Sequence, residues 1–340
     1  MRNKRYIRAL ALALALCLLL CGCGARVITE DRVQDGLPLL DPEDGVDKDI
    51  SVELYYRLTG EAYLVPITRN VSVRANERAE TAIVRTLLEG VPQQSLSANV
   101  SAVFPAGTNI VDVSLDSGIL YVTLSSEFLD DSIVESARQA GSLFGSAEVA
   151  LRRAEEEMYL ARRLGVYSLV NTLTGYVDGK MRVQILVDTE GTGKGTRLAV
   201  GTLGLESPEG AASELIEPLD FDPNVVTSPA RTVGCMLSRM QSGEYEMAYV
   251  LFMEAAVDGV QKPTYANFET EMLSLGKVTG YQITGWTEDN DGTATVTVTL
   301  DFTSATGKAA HIENAQIFLK REGDLHKIGY GSFKSILEAA

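Results

Sequence analysis

Alternating apolar and polar positions predict β-strands in the first half of the chain. The alternating runs lie at residues 50–58, 62–73, 109–115, 119–125 and 181–188. Runs of this length that are rich in β-branched and aromatic residues are typical of strands. Asp116, Ser117 and Gly118 separate the third run from the fourth, which predicts a tight hairpin turn between them.

Two other segments space their apolar residues three and four positions apart, which predicts helices. The first covers residues 76–91, with Asn76 as the expected N-cap and Gly90 as the expected stop. The second covers residues 145–176, and its apolar stripe consists of Leu151, Ala154, Met158, Ala161, Leu164 and Ser168. From Asn76 onward the order is helix, strand, strand, helix, strand, with an extra strand pair before it. This order predicts a small two-layer α/β sandwich at residues 50–205.

The remainder of the chain predicts a second α+β unit. Residues 206–228 hold three prolines and six acidic residues, and we interpret them as a linker or crossing segment. Three helical segments follow from Pro229, with a break at Ser242 and Gly243 and an end at Gly276. Four strand-like runs then lie at residues 277–288, 293–304, 311–322 and 325–333. Residues 229–340 are therefore expected to fold as helices packed on a curved antiparallel sheet.

The N-terminus has the pattern of an export signal. Four basic residues precede an uncharged, mostly apolar run of about 17 residues at 9–25, which is shorter than the roughly 20 residues of a membrane span. The run ends in Leu20, Cys21, Gly22 and Cys23, which resembles the lipobox of bacterial lipoproteins. Gly22 supplies the small residue before Cys23, whereas Cys21 would need Leu20 in that place.

The lipobox resemblance implies cleavage before Cys23 and a diacylglycerol attached to the sulfur of Cys23. Residues 1–22 would then be the signal peptide, and the acidic residues 23–49 a tether. The alternative is that Cys21 and Cys23 are apolar filler in an ordinary cleavable signal. If Cys23 carries the lipid, the membrane is a partner of the protein, and the lipid holds the protein at the extracytoplasmic face of the bacterial cell membrane.

Charge and cysteine usage narrow the classes of function. From Cys23 onward the chain carries 26 basic and 46 acidic residues, and such a surface repels nucleic acid. Only Cys235 remains beyond Cys23, so no intramolecular disulfide framework is available. Cys235 lies in a helical pattern, where a packing role is expected.

No motif for a cofactor or metal is complete. The glycine-rich residues 189–196 fail the phosphate-loop pattern at Asp188 and at Gly195, and a hairpin turn explains the glycines. Residues 287–298 fail the calcium-loop pattern at both ends, which again leaves a turn. The two histidines, His311 and His326, have no metal-binding spacing. Both are expected at the surface, and the alternative is that they face one another across a hairpin. No cofactor and no metal are expected.

Four blocks of the first unit resemble the GerM-type (GerMN) domain, named after a spore-germination protein. In order they are AETAIVRTLLEGVP, VFPAGTNIVDVSLDSGILYVTLSSEF, RLGVYSLVNTLTGY and RVQILVD. Residues 129–159 depart from the family pattern as an insertion. The domain is similar to the ring-building modules of spore envelope complexes, which implies assembly and contact. The second unit resembles the cone-shaped fold of the nuclear-transport-factor superfamily, through its element order and the SGEYEMAYVLF break.

We therefore expect a non-catalytic, lipid-anchored interaction or assembly module at the cell envelope, with a link to sporulation or germination implied by the GerM resemblance. Envelope proteins and further copies of the chain are the candidate partners. One alternative is a small-ligand binder whose cone pocket is lined by aromatic side chains, namely Trp286, Tyr281, Phe302, Phe318 and Tyr330. A second alternative is an enzyme of the cone superfamily with Asp301, Glu269 or Glu313 as its base.

Overall fold

The computed structural model describes residues 47–91, 100–144, 147–206, 210–256 and 259–339. The predicted signal peptide, Cys23 and all but the last three residues of the predicted tether lie outside the described residues. Strand β1 begins at Lys48, two positions before the predicted start of the first unit.

The described residues form a mixed α+β fold, as predicted. The strands are β1 (Lys48–Leu58), β2 (Leu64–Val73), β3 (Val100–Ser101), β4 (Ile110–Asp116), β5 (Ile119–Ser125), β6 (Arg182–Asp188), β7 (Gly276–Glu288), β8 (Thr293–Ser304), β9 (Ala309–Glu322) and β10 (Leu325–Ile328). The helices are α1 (Ala79–Leu88), α2 (Ser132–Phe144), α3 (Ala147–Tyr176), α4 (Pro229–Ser242), α5 (Tyr245–Tyr249), α6 (Tyr265–Leu275) and α7 (Tyr330–Glu338).

The strands β4, β5 and β6 form one sheet, as the sequence predicts. Strands β4 and β5 are antiparallel, and β5 and β6 are parallel. Asp116 pairs with Ile119, so the turn contains only Ser117 and Gly118, both with positive φ (50° and 78°). Two residues with positive φ are typical of a type I′ turn, whose twist matches that of the paired strands. The predicted hairpin is confirmed.

Helices α1 and α3 of the first unit each pack against two sheets. Helix α1 packs against β1, β2 and β4, and α3 packs against β1 and β6. At the centre of this contact Ser168 Oγ donates a hydrogen bond to the carbonyl oxygen of Tyr55 (2.6 Å), and the Tyr55 amide donates to Thr172 Oγ1 (3.2 Å). The predicted two-layer sandwich is therefore present, and the sheet β2-β1-β3 adds a third layer.

The start of α1 differs from the prediction. The helix begins at Ala79 after Arg78, and the side chain of Arg78 makes no capping hydrogen bond. Asn76, the predicted cap, lies earlier in the turn with φ of 66°, a left-handed conformation that asparagine tolerates better than most residues. The predicted cap is therefore wrong, whereas Gly90 (φ 87°) does follow the helix end at Leu88.

In their described parts, residues 129–144 and 147–159, the inserted residues form a helical hairpin. It consists of α2 and the first half of α3, and it has a small apolar core of its own around Val134, Ala154 and Met158. The predicted stripe of α3 is confirmed, because Leu164 and Ser168 are fully buried further along the same face. Helix α2 is not among the elements that the sequence pattern predicts.

The predicted linker, residues 206–228, packs along the first unit in its described parts. Leu219 pairs with Val183 on the free edge of β6. Asn171 on α3 exchanges two hydrogen bonds with the backbone of Asp222 (3.0 and 2.9 Å). The segment is therefore a packed crossing between the two units.

The second unit has the predicted helices followed by an antiparallel sheet in the order β10-β9-β8-β7. Its core holds an aromatic cluster in which Phe252 contacts Phe268, Tyr330 and Phe333 at ring-centroid distances of 5.3, 5.9 and 5.7 Å. The predicted last strand, residues 325–333, is wrong beyond Ile328, because Tyr330 and Phe333 begin α7 and bury one helical face in this cluster.

We expect Thr172→Val to lower the free energy of unfolding by about 1–3 kcal/mol, because it leaves the buried Tyr55 amide without an acceptor at nearly unchanged volume. Urea unfolding followed by circular dichroism measures this. Thr270→Val is the matched control, since Thr270 is an exposed threonine on α6 whose hydroxyl bonds only its own helix. Equal effects of the two substitutions would contradict a structural role for the Thr172 contact.

Candidate functional site

The turn between β1 and β2 is held by the second unit. Glu61 in this turn accepts a hydrogen bond from Arg239 Nε on α4 (2.7 Å), and the Gly60 carbonyl oxygen accepts from Arg239 Nη2. Arg239 also binds Glu244 just beyond the end of α4. The side chains of Glu61 and Arg239 are only 15% and 21% exposed, so water screens this ion pair less than a surface pair.

The same turn is held from the other side by the first unit. Arg57 Nε donates to the Glu61 carbonyl oxygen (2.8 Å), and the guanidinium of Arg57 binds the carboxylate of Glu157 on α3 through both oxygens. The result is a continuous series of polar contacts from Glu157 through Arg57 and Glu61 to Arg239. We call Arg57, Glu61, Arg239 and the turn residues between β1 and β2 the joint.

A second set of contacts flanks the joint. The guanidinium carbon of Arg231 on α4 lies 5.5 Å from the centroid of the Tyr63 ring, within the range of a cation–π contact. Arg231 Nη1 also donates to the Pro223 carbonyl oxygen (2.7 Å), and the Thr227 amide donates to the Leu64 carbonyl oxygen (2.8 Å). The crossing segment, α4 and the joint are therefore fixed to one another.

A cleft of about 520 Å³ opens beside the joint. Its walls are residues 61–63 of the turn, one face of α4 and the β7 residues Tyr281 and Ile283. The Tyr281 hydroxyl donates to the Gly234 carbonyl oxygen (3.1 Å), which fixes one wall. Aromatic rings with a few hydroxyl groups suit a small molecule with a ring, and the cleft also contains the cation of Arg231 beside a carboxylate already neutralised by Arg239.

Cys235 forms part of the cleft floor, but its sulfur is buried. Burial, followed by the nearby negative charge of Glu61, raises the pKa of the Cys235 thiol well above its usual range. The thiol therefore stays protonated near neutral pH, and a protonated thiol is a poor nucleophile. Its surroundings agree with the expected packing role.

The five aromatic residues proposed as a pocket lining lie in separate environments. Phe302 and Tyr330 are core residues, and Tyr281 lines the cleft beside the joint. Phe318 is half-buried on the face of β9 opposite its buried neighbours. Trp286, near the end of β7, is 47% exposed. Of these five residues, Tyr281 lines the cleft beside the joint, and that cleft lies between the two units.

The histidines do not face one another. His311 on β9 pairs with Asp301 across the sheet, with Nδ1 2.7 Å from Oδ1, and both side chains are exposed. His326 on β10 is buried, and its Nε2 lies 3.1 Å from Glu288 Oε1 in an orientation short of an aligned hydrogen bond. The two rings therefore belong to different surroundings.

The three carboxylates proposed as catalytic bases lie apart from the cleft. Asp301 forms the exposed pair with His311, and Glu313 is exposed next to it on β9. Glu269 on α6 accepts a hydrogen bond from the Tyr265 hydroxyl (3.2 Å). Asp301 and Glu313 are thus exposed surface groups and Glu269 is half-buried, and none of the three lines the cleft.

The glycine-rich loop after β6 is closed by an internal acid. The carboxylate of Asp188 accepts hydrogen bonds from the amides of Thr192 (3.0 Å) and Gly193 (2.7 Å). Burial raises the pKa of Asp188, but the amides of Gly193 and Thr192 outweigh that effect and lower it below its usual value. The amides that a phosphate would need therefore already donate to the Asp188 carboxylate. The loop is a turn, as the sequence predicts.

Neither a metal-binding cluster nor a membrane-spanning helix is found in the part of the chain that the structure describes. Across these ranges, no three His, Cys, Asp or Glu side chains come together in a group that would hold a metal ion. Within the same ranges, no helix combines the length and apolar composition that crossing a bilayer requires.

The sequence pattern does not indicate the joint. Glu61 and Arg239 are separated by 178 positions, and nothing in the local pattern around either residue marks a partner. The only sequence signal in this region is Thr59 and Gly60, which predict the turn but not its contacts.

Comparison with known proteins gives a family match within the first unit. Residues 53–190 match the model of the Germane family, described as sporulation and spore germination. The match confirms the resemblance of this part of the chain to the GerM-type domain. No curated protein matches the chain.

Two solved structures are among those that are similar to this chain. One contains the tandem GerMN domains of the sporulation protein GerM from Bacillus subtilis, at 15% identity and a TM-score of 0.30, covering 53% of this chain and 47% of that one. The other is Aln2 from a Streptomyces species, at 16% identity and a TM-score of 0.23, covering 32% of this chain and 87% of that one. The match to the GerM structure thus spans about half the length of that structure.

We expect a coupling free energy of about 1.5–3 kcal/mol between Glu61 and Arg239, because each is a charged hydrogen-bond partner in a partly buried site. A double-mutant cycle of Glu61→Gln and Arg239→Met in urea unfolding measures it. The exposed pair Glu135 and Arg138 (49% and 62% exposed) is the matched control, with an expected coupling below about 1 kcal/mol. A coupling at 61/239 no larger than the control would show that the joint does not stabilise the fold.

We expect His326 to make the folded state less stable as the pH falls. Burial is the main cause that lowers the pKa of His326 below 6.5, ahead of the opposing effect of Glu288 and the added effect of Arg321. The unfolded chain therefore binds a proton near pH 6.5 that the folded chain resists, and stability is lost from there downward. Unfolding free energies between pH 7.5 and 5 should fall less steeply for His326→Gln than for the unsubstituted protein.

His311 provides the control of opposite sign. Its hydrogen bond with Asp301 is the main cause that raises the pKa of His311. The contribution of His311 to the stability of the folded state is therefore present below pH 6.5 and is lost as the pH rises through the raised pKa. His311→Gln should steepen the loss on acidification, and slopes that change in the same direction for both variants would refute the assignment.

Proposed function

We propose that this chain, whose residues 53–190 match the Germane family model, is a lipid-anchored extracytoplasmic protein with a non-catalytic role in assembly at the cell envelope, in sporulation or spore germination. The joint is the observation that carries the proposal. A turn of the matched domain is clamped between α3 and α4 by charged hydrogen bonds. An assembly module needs surfaces whose relative positions are fixed, and the joint holds the two units together in this way.

The proposed anchor is the diacylglyceryl group on Cys23. Two acyl chains hold a protein stably at a bilayer, since each buried methylene contributes about 0.8 kcal/mol and one chain alone binds only marginally. Confinement to the membrane plane raises the effective concentration of the protein near other membrane-bound proteins. The acidic body, with 26 basic and 46 acidic residues from Cys23 onward, would be repelled by anionic headgroups and stand away from the surface.

A second candidate function is binding of a small molecule in the cleft beside the joint. The observation in its favour is the cleft itself, with tyrosine walls contributed by both units. A ligand that fills the cleft would stabilise the fold by RT ln(1 + [L]/Kd). A thermal-shift screen of neutral and acidic ring compounds tests this, and compounds that stabilise the protein equally when Tyr281 is replaced by Ala would not be binding there.

The anchor is tested with Cys23→Ala in cells that carry a tagged full-length chain. We expect the protein to move from the membrane fraction to the soluble or unprocessed fraction, and the diacylated N-terminal peptide to vanish from the mass spectrum. Cys21→Ala is the matched control two residues away and should keep both. Retention of a lipidated peptide in Cys23→Ala would refute this attachment site.

The assembly role is tested in the same cells by crosslinking and mass spectrometry. The tagged chain should capture specific envelope proteins, its own copies included, and Cys23→Ala should reduce the yield. Absence of any specific capture by the correctly anchored chain would refute the assembly role and favour the ligand-binding alternative.

A further inference from the structure

The cleft beside the joint is lined by small side chains on the side of α4. Ala230, Gly234 and Ser238 lie four positions apart, so they share one face of the helix. None of the three extends far from the backbone, and the volume of about 520 Å³ that stays open lies within the range of small-molecule sites. The cleft therefore has room for a planar ring system.

Two tyrosine rings form further walls of the cleft, and each is fixed by a contact with α4. Tyr281 on β7 is held through its hydroxyl, which donates to the Gly234 carbonyl oxygen (3.1 Å). Tyr63 in the turn is held by Arg231, whose guanidinium carbon lies 5.5 Å from the ring centroid. Both tyrosines are half-buried, so each keeps apolar ring surface that a ligand ring can cover.

The cleft carries one positive charge that no acid of the described residues neutralises. Glu61 is paired with Arg239, so its carboxylate is already compensated. Arg231 donates through Nη1 to the carbonyl oxygens of Pro223 and Val226, which are uncharged, and no carboxylate in the described ranges forms an ion pair with it. On a chain with 46 acidic and 30 basic residues, an arginine without an acid marks a place for an anion.

The unused edge of the Arg231 guanidinium has the geometry that binds a carboxylate. Its Nε and Nη2 atoms donate no hydrogen bond to any of the described residues, and neither atom is buried. The two N–H groups lie side by side in the plane of the guanidinium, and a carboxylate accepts both through its two oxygens. Because Nη1 and the Tyr63 ring already hold Arg231, this edge is oriented before a ligand arrives.

We propose that the cleft beside the joint binds an aromatic carboxylate. The Nε–Nη2 edge of Arg231 holds the carboxylate, and the ring packs against Tyr63 and Tyr281. This inference rests on the second of the proposed functions, binding of a small molecule in this cleft, and names the class of that molecule. Because the turn belongs to the first unit and α4 and β7 belong to the second, a bound ligand adds a contact between the units beside the joint.

The proposal is tested with two probes that differ only in charge. Naphthoate carries a carboxylate near neutral pH, and naphthamide carries an uncharged amide at the same position of the same ring. Isothermal titration calorimetry with the full-length chain in detergent, corrected by titration into detergent alone, gives both dissociation constants. We expect naphthoate to bind roughly tenfold or more tightly than naphthamide, because hydrogen bonds between charged partners are the stronger ones.

Substitution of Arg231 tests whether this residue is the source of the preference. Arg231→Gln should weaken naphthoate, leave naphthamide unchanged and so bring the two dissociation constants to within about twofold. Arg231→Lys keeps the charge without the planar edge and should keep only part of the preference. Arg197→Gln is the matched control, because Arg197 is a partly exposed arginine that pairs with Glu217 outside the cleft lining, and it should change neither constant.

A second substitution keeps the test valid if the loss of Arg231 disturbs the fold. Ser238→Leu places a larger side chain, which a helix accommodates well, at an exposed position of the cleft wall. Binding of both probes should fall several-fold while the circular dichroism spectrum stays the same. Ser274→Leu, at an exposed position of α6 outside the cleft lining, is its control and should bind both probes as the unsubstituted protein does.

Equal binding of naphthoate and naphthamide, or a preference for naphthoate that survives in Arg231→Gln, would overturn the carboxylate class. Tighter binding of naphthyl phosphate than of naphthoate would replace the carboxylate by a phosphate ester. In either case, a loss of binding in Ser238→Leu would leave ligand binding in the cleft standing. Absence of binding by all three ring compounds would remove both the inference and the proposed ligand binding, and the assembly role would still be judged by crosslinking.

Discussion

The rest of the structure depends on the position of Glu61, because this residue joins the two units. Its carbonyl oxygen is bound by Arg57 of the first unit and its carboxylate by Arg239 of the second. Removing either arginine leaves a partly buried acceptor unpaired, which is more costly than losing a surface ion pair. The turn also requires Gly60, whose φ of 75° lies in the left-handed region that residues with a Cβ rarely adopt. The contacts of Glu61 and the conformation of Gly60 thus fix the position of this turn between the two units.

The joint is rigid because β1, which ends there, is itself fixed by the core. The backbone of Tyr55 on this strand is hydrogen-bonded to the hydroxyls of Ser168 and Thr172 of α3, a helix that packs against two sheets. A slip of β1 by one residue would turn its apolar side chains to the wrong face and leave these two polar groups unpaired. The buried hydroxyls therefore set the register of β1, and the register places Arg57 and Glu61 at the joint.

Local pattern predicts much of the fold, and long-range contacts account for what it misses. The Ser117–Gly118 turn and the α3 stripe follow from spacing alone, and the structure contains both. The pattern assigns Tyr330 to a strand because alternation and helical spacing are alike over four residues, and its contact with Phe252 selects the helix. Glu61 and Arg239 carry no periodic signal, so neither the joint nor the cleft beside it is predictable from the sequence.

The joint and the inserted hairpin meet at one side chain, Glu157. Glu157 lies near the end of the inserted residues 129–159 and binds Arg57 of the joint, so the base of the hairpin is tied to the same contacts that hold the second unit. The side chains at the base of the hairpin are therefore ordered by the fold itself, and a partner that bound there would lose less conformational entropy than one that had to order them.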